Sequence, residues 1–427
     1  MKREAALLVL VAVLLLGCAD DSRFYRNIGD ADTDTDIDTD ADTDTCGEEP
    51  YPGDFHITSA PDLAVLSGYP GITGDLLIQA GDLTRLEGLE CLLTVGGYLE
   101  ISKNAALESL QGLDHLTSTG GGLGIFENGL LASLDGLDSL AALGRDLKIS
   151  DNAALVSLHG LHGLAEVSGG VGVWRNASLS SLDGLQGLTR VGYYLSVQEN
   201  ASLTSFTDLH NLDRVGGNLA IVNNAVLSSL QGLDSLAAVD GDLLISDSPA
   251  LTGLSGLDSL SAVGGYVKIE ENAALTSLDG LDALSEVGDH LSVRKNASLA
   301  SLAGLSNLDD VPGVYISYND VLTCLAGLDG ITGLAENLSI WHNNLLSSLE
   351  GLDGIAVVGG DLEVSQNSVL TDLDGLGSLD ELGGDLGVRD NQVLPTCEAE
   401  KLRDHLIAGG WAGDANISGN DDGGTCE

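Results

Sequence analysis

The sequence predicts an all-β fold: a right-handed, single-stranded β-helix of about 13 coils of 24 residues, with a C-terminal helical cap. Three observations predict it. Asn recurs at 104, 128, 152, 176, 200, 224, 272, 296, 319, 343, 367 and 391, with Ser248 in one vacancy and a one-residue deletion near Pro312. A fixed period in the twenties is the mark of a solenoid. With Asn as position 1, position 10 is Leu in every coil from Leu89 to Leu376, and position 7 is Leu except at Phe206. Finally, Gly supplies 57 residues and aromatics only 4%, so the core must be built from Leu, Val and Ile around glycine corners.

The chain begins with a leader and a tether. Lys2 and Arg3 precede an apolar run from Ala5 to Leu16. That run is shorter than the ~20 residues a membrane-spanning helix needs, so 1–17 reads as a signal peptide. Leu15-Leu16-Gly17-Cys18 resembles a bacterial lipobox, which implies that Cys18 is lipidated and that acyl chains hold the protein to a membrane. Residues 18–45 are a spacer. Asp occupies every even position from Asp30 to Asp44, and a stretch with no apolar surface and uniform charge stays solvated and extended. It lacks the Gly and closing Glu of a calcium loop. Residues 46–79 form an N-terminal cap and 80–391 the repeats.

Within the repeat each column has a physical reading. Positions 20 and 22 are apolar with one residue between them (Leu99 and Ile101, Leu147 and Ile149, Val267 and Ile269), the alternation of a short strand with one face inward. Leu at 4, 7, 10 and 13 and Val at 16 complete the core. Gly-Gly at 17 and 18 is expected to take positive φ at a corner before the strand, and Gly at 9 to mark a second corner. The Asn column is expected to form a ladder, its amides bonding backbone groups and the Asn of the next coil. Ser at position 6 recurs without a fixed His or acid beside it, so it is expected to be a structural ladder and not a catalytic set. Coils stacked at strand spacing would make a rod on the order of 60 Å long.

The unit, with phrases such as Ile72-Thr73-Gly74-Asp75-Leu76-Leu77-Ile78 and Val95-Gly96-Gly97-Tyr98-Leu99-Glu100-Ile101, resembles the receptor L-domain, the leucine-rich β-helix of insulin and EGF receptor ectodomains and of some fungal wall glycoproteins. The likeness covers about residues 54–391. It implies a leucine-rich-repeat-like solenoid and extracellular recognition or wall architecture, without fixing a partner. The chain has more coils than a receptor L-domain and lacks its Cys-rich module.

An open stack needs covered ends. At the C-terminus, 392–427, Thr396 is expected to cap a helix whose first turn is acidic, ending before Gly409-Gly410. Cys397 and Cys426 bracket that segment and are expected to pair, as are Cys46 and Cys91 at the other end, because bridges form outside the cytoplasm. Cys324 stands at position 6 and is expected to be a buried thiol.

The charge balance limits function. Lys plus Arg total 17 against 65 Asp plus Glu, a net charge of −48, which excludes a phosphate-binding basic surface, so no nucleic-acid partner is expected, nor docking on an anionic membrane through basic groups. Acidic residues stack at position 11 (Asp114, Asp138; Asp234, Asp258, Asp282; Asp329, Asp353). Either screening salt or a divalent cation would relieve their repulsion. His159 and His162 fall among Asp135, Asp138 and Asp183; one such cluster on a polar face is expected to be incidental, and no metal, cofactor or catalytic residue is assigned. The sequons at Asn176 and Asn200 are discounted because their Asn belongs to the ladder. Nine of ten aromatics in the coils fall at positions 18–24, as do eight of eleven basic residues, although that segment is under a third of the unit. The candidate binding face is therefore Tyr98, Phe126, Lys148, Trp174, Arg175, Tyr194, Tyr266, Lys268, Arg294, Lys295, Tyr315, Tyr318 and Trp341, residue types that make binding hot spots. The expected protein is a non-enzymatic, lipid-anchored extracytoplasmic scaffold at the outer membrane or surface of a Gram-negative bacterium. Its ligand would be a glycan or a protein. The alternatives are a structural envelope component and, more weakly, a carbohydrate-active β-helix enzyme; the oligomeric state is open.

Overall fold

Positions 20 to 23 form strands that stack in parallel, each hydrogen-bonded only to its counterparts one coil away, in a sheet of sixteen running from Phe55–Ile57 to Ala415–Ser418. The computed structural model describes residues 46–426; the expected signal peptide, the expected spacer and Cys18 lie outside the described residues. Register is without offset: Leu99 pairs with Leu123 and Leu123 with Leu147. Identical columns force this result. A slip of one residue would exchange the inward Leu and Ile for the outward polar set. Positions 4, 7, 10, 13, 20 and 22 are buried throughout, completely so at Leu107, Leu110, Leu113, Leu116, Leu123 and Ile125.

A second column of strands was not foreseen. Positions 15 and 16 pair along ten coils from Gly71–Ile72 to Glu286–Val287, and again in three coils from Gly333–Leu334 to Glu381–Leu382. The break falls at the shortened coil. In intact coils the position-17 amide donates to the previous coil, as Gly288 N does to the Val263 carbonyl at 2.9 Å. Pro312 stands there and has no N–H.

The asparagine ladder forms as expected. Asn104, Asn128, Asn152 and their counterparts are wholly buried. Asn128 Nδ2 donates to the Ile101 carbonyl (2.8 Å) and to Asn152 Oδ1 (3.2 Å), and that oxygen also accepts from Asn128 N (3.0 Å). Ser248 keeps part of the pattern: its Oγ accepts from Asn224 N at 3.4 Å and donates to the Ser246 carbonyl at 3.3 Å. The ladder ends on Asn420, beyond the repeats, whose Oδ1 accepts from Asn391 N at 3.1 Å.

Two corners differ from expectation. Gly at position 9 takes positive φ, +107° to +116° in ten coils, among them Gly112, Gly136 and Gly160. The Gly pair at 17 and 18 does not. Among the described residues, glycines such as Gly96 and Gly120 have ordinary φ; a Cβ on Gly120 would instead overlap the Gly96 carbonyl of the coil before. Close stacking excludes a side chain there, not a left-handed turn. The left-handed residue after the strand is position 24, non-glycine in all thirteen cases from Lys103 (φ +56°) to Asp390 (φ +57°). It turns the chain from the strand into the buried Asn.

The position-6 serines are not a ladder between coils. Their Oγ accepts the amide two residues ahead in the same coil, as Ser109 does from Gln111 N (3.1 Å) and Ser348 from Glu350 N (3.0 Å), a local turn typical of Ser. The acidic column at 11 has a similar explanation: Asp114, Asp234 and Asp258 each accept the corner Gly amide two residues before, at 2.8 Å. These carboxylates serve as caps for the corner.

Both ends are covered. Helix α1 (Ala60–Leu66) closes the first coils, with Leu63 and Leu66 in the core. Helix α2 (Thr396–Ala408) is inserted in the last coil and buries Ala399, Leu402 and Leu406. Pro395, not Thr396, is its N-cap; Thr396 Oγ1 bonds Asp422 Oδ1 at 2.7 Å. The chain then returns as strand Ala415–Ser418 against Leu386–Arg389, so the C-terminal cap is a helix and a strand. Cys46 is bridged to Cys91 and Cys397 to Cys426. Cys324 is half-buried, not buried as expected, because position 6 lies on a local turn between two core positions.

Candidate functional site

The outward residues of the large sheet are positions 19, 21 and 23, followed by the left-handed position 24. At 19 the chain alternates between aromatics and a second ladder, in which Asp or Asn accepts the amide of the next coil: Asp146 from Gly170 N (2.7 Å), Asn218 from Asp242 N (2.9 Å), Asp361 from Asp385 N (2.9 Å). This ladder satisfies amides at the strand entrance and divides the aromatics into groups.

Tyr98 and Phe126 form the first group. They lie flat, because a Cβ on Gly124 would meet both the Tyr98 hydroxyl and the Phe126 ring; glycine in a strand here makes a socket for a neighbouring ring. Burial, reinforced by Glu100 and Asp146, raises the Tyr98 hydroxyl pKa. The second group repeats the device. Trp174 covers Gly172 and Tyr194 covers Gly170, their rings stacked at 6.5 Å, with Tyr193 edge-on to Tyr194 at 5.7 Å. Trp174 Nε1 donates to Ser196 Oγ at 2.8 Å. Tyr193 is the open member, 64% exposed.

The third group is the largest. Across four consecutive rungs, Tyr266 stacks on His290 (5.5 Å), His290 meets Tyr315 edge-on (5.4 Å), and Tyr318 packs against Trp341 (4.9 Å) and flat on His342 (4.5 Å). Tyr315 stands on the strand Gly313–Ser317 and Tyr318 directly follows it, so one rung carries a member of each ring cluster. Lys268 Nζ sits 4.1 Å from the centre of the Tyr266 ring, a cation–π contact, and burial lowers its ammonium pKa against the opposing pull of Glu270 and Asp242. Burial likewise raises the hydroxyls of Tyr266 and Tyr315, nearby Asp242 adding to the first; the Asn337 amide, 3.4 Å away, offsets part of the second.

Sequence reasoning placed all thirteen candidates on one face, and two refinements follow. Tyr266 is 7% exposed, so it supports the patch from below and offers little surface. Most of the basic candidates face acids: Lys148 with Asp146 (3.3 Å), Arg175 with Asp151 (2.7 Å), Arg294 with Glu270 (3.5 Å), Lys295 with Glu271 (2.5 Å). Three of these pairs join neighbouring coils; the more exposed Arg175–Asp151 and Lys295–Glu271 contribute only about 0–1 kcal/mol each, while Arg294 and Glu270 are largely covered. They balance charge along the rod. His290 and His342 were missed. Their signal was available, since both fall in the aromatic columns at 19 and 24.

No protein-family profile and no curated protein matches this chain. Among solved structures, the TLR13–ssRNA13 complex aligns with 85% of this chain and 76% of its own at 14% identity, with a TM-score of 0.16.

Proposed function

We propose that this protein is a non-catalytic recognition scaffold of the cell envelope, binding a glycan or a protein through the patch that runs from Tyr266 to His342. The observation that carries the reading is a pair of ring clusters, Tyr266–His290–Tyr315 and Tyr318–Trp341–His342, set on four successive rungs of one sheet. Aromatic rings held by such a scaffold offer contact area at little entropic cost. A solenoid built to repeat supplies a long, regular surface of the kind used for binding. The two disulfides fit an oxidising compartment outside the cytoplasm. Among the described residues no helix is long and apolar enough to cross a membrane, and a lipid on Cys18 would supply attachment instead. The resemblance to receptor L-domains supports the same class of function.

The test is binding of the purified protein to glycan arrays and to whole cells, wild type against Trp341→Ala and Tyr318→Ala. Binding lost in both variants, with folding intact, supports the patch; binding unchanged removes it. Fatty-acid labelling that persists in Cys18→Ala would remove the anchor. A second reading, an envelope spacer without a discrete ligand, draws on the flat packing of Tyr98, Trp174 and Tyr194 over glycine sockets. It predicts no binding on any panel.

A further inference from the structure

On the opposite, polar side of the coil, positions 8 and 11 of successive rungs place side chains on a grid, and at one point that grid carries imidazoles among carboxylates. We propose that Asp135, Asp138, His159 and His162 form a binding site for a divalent transition metal of the zinc type. One ligand atom each from Asp135, Asp138 and His159 already lies within 4.8 Å of the others. Tetrahedral zinc, with bonds of ~2.0–2.1 Å, needs its ligand atoms roughly 3.4 Å apart. Closing a gap of about 1.5 Å takes small rotations of exposed side chains.

The carboxylates are arranged for this. Asp135 Oδ2 accepts from Ser133 Oγ (2.8 Å), leaving Oδ1 3.8 Å from His159 Nε2. Asp138 Oδ2 is held by the Gly136 amide (3.0 Å), leaving Oδ1 3.8 Å from His162 Nδ1. In each, one oxygen is pinned by the repeat and the other faces an imidazole. The two rings are 6.0 Å apart, so His162 can supply the fourth donor by turning about its side-chain bonds. On the next rung Asp183 approaches His159 from behind, its Oδ2 3.5 Å from Nδ1, while its Oδ1 is bonded by the Gln186 amide. By closing onto the far nitrogen this carboxylate would fix the tautomer and leave Nε2 free to ligate, the usual support for a metal-bound histidine.

The repeat also shows that His162 is a departure. In nine of the other twelve coils this column supplies the acceptor for the corner Gly amide, a role the imidazole does not take at Gly160. Imidazole nitrogen with carboxylate oxygen favours zinc, copper or nickel over calcium, which takes oxygen ligands. The acidic chain raises the local concentration of every cation; the histidines would provide selection.

The experiment is calorimetric titration of the purified protein with Zn²⁺ alone as ligand, in excess Ca²⁺ so that oxygen-only sites such as the Asp-rich spacer are occupied. One Zn²⁺ per chain is expected, weakened at least tenfold in His159→Ala and in Asp138→Asn. Asp183→Asn should weaken it by about 10–100-fold. His210→Ala, in the same column two rungs on, should change nothing. All these side chains are on turns at the surface, and circular dichroism would verify folding. Displacement of the zinc by Ca²⁺, no uptake by the wild type, or uptake unchanged in His159→Ala with His162→Ala would overturn the proposal.

Discussion

Replacing Asn176 by Ala tests the ladder at its middle. The side chain is fully buried. Its Nδ2 donates to the Ile149 carbonyl at 3.0 Å and to Asn200 Oδ1 at 3.4 Å, and its Oδ1 accepts from Asn152 N at 3.1 Å and Asn152 Nδ2 at 3.3 Å. Alanine removes all four and leaves the buried Asn152 amide unpaired, while the Ile149 carbonyl keeps its ladder bond from the Trp174 amide. A buried polar group left unpaired costs about 1–3 kcal/mol, and that is the loss expected for alanine. Serine should cost about half as much, because Ser248 shows that a hydroxyl can still accept the incoming amide. Long repeat arrays need not unfold in one step, so the assay is native-state hydrogen exchange, read locally over residues 147–200, alongside urea unfolding. Protection should fall most at Asn152 and the amides beside it. A loss below about 1 kcal/mol for Ala, or no difference between Ala and the exposed control Ser178→Ala, would refute the reasoning.

Other consequences follow from the corners and the caps. Gly144→Ala should destabilise by more than about 2 kcal/mol although φ there is ordinary, because the Cβ would overlap the Gly120 carbonyl; a neutral effect in thermal unfolding would contradict close stacking as the cause. Glu127 is exposed at φ +55°, so Glu127→Gly should be neutral or stabilising by up to about 1–2 kcal/mol, and Glu127→Val destabilising; the opposite order in urea midpoints would refute a left-handed strain. Hydrogen bonds from the Thr58 amide and hydroxyl, opposed by slight burial and joined by Ser59, hold the Asp62 carboxyl below its usual pKa. Its folded pKa is depressed, so its contribution is present above the unfolded value near ~3.9 and is lost as pH falls through the folded one. Asp62→Asn should remove that portion of the acid dependence, and identical acid profiles would count against it.

The repeat made the core and the ladder legible because every coil repeats the same test: Leu110 or Asn128 alone says little, while a column of them admits only stacking. What the repeat hid were effects that depend on a neighbouring coil. Gly120 reads as a flexible turn in one dimension, and only the carbonyl of the coil before shows why a side chain is excluded. The left-handed residue at position 24 carries no glycine signal, being Lys103, Glu127 or Tyr318 according to the coil. Asn420 was missed because a helix separates it from the ladder it completes. In the candidate site, the columns identified the face, but not that Tyr266 lies beneath His290 or that Lys148 and Arg175 face acids. Those depend on rotamers and on the glycine sockets between rungs.

In-register stacking underlies the sheet, the ladder and both proposed sites, and it can be measured as a ruler. Val156, Ser228 and Ala300 occupy position 5, three coils apart in each step, and all are exposed. Spin labels at Val156 and Ser228, and at Val156 and Ala300, in a Cys324→Ser background, should lie about 14 Å and 29 Å apart by pulsed electron resonance, a linear gain of ~4.8 Å per coil. Distances that fail to double between the two pairs, or that spread toward the ~60–70 Å or more expected of a flexible chain of this length, would contradict the account.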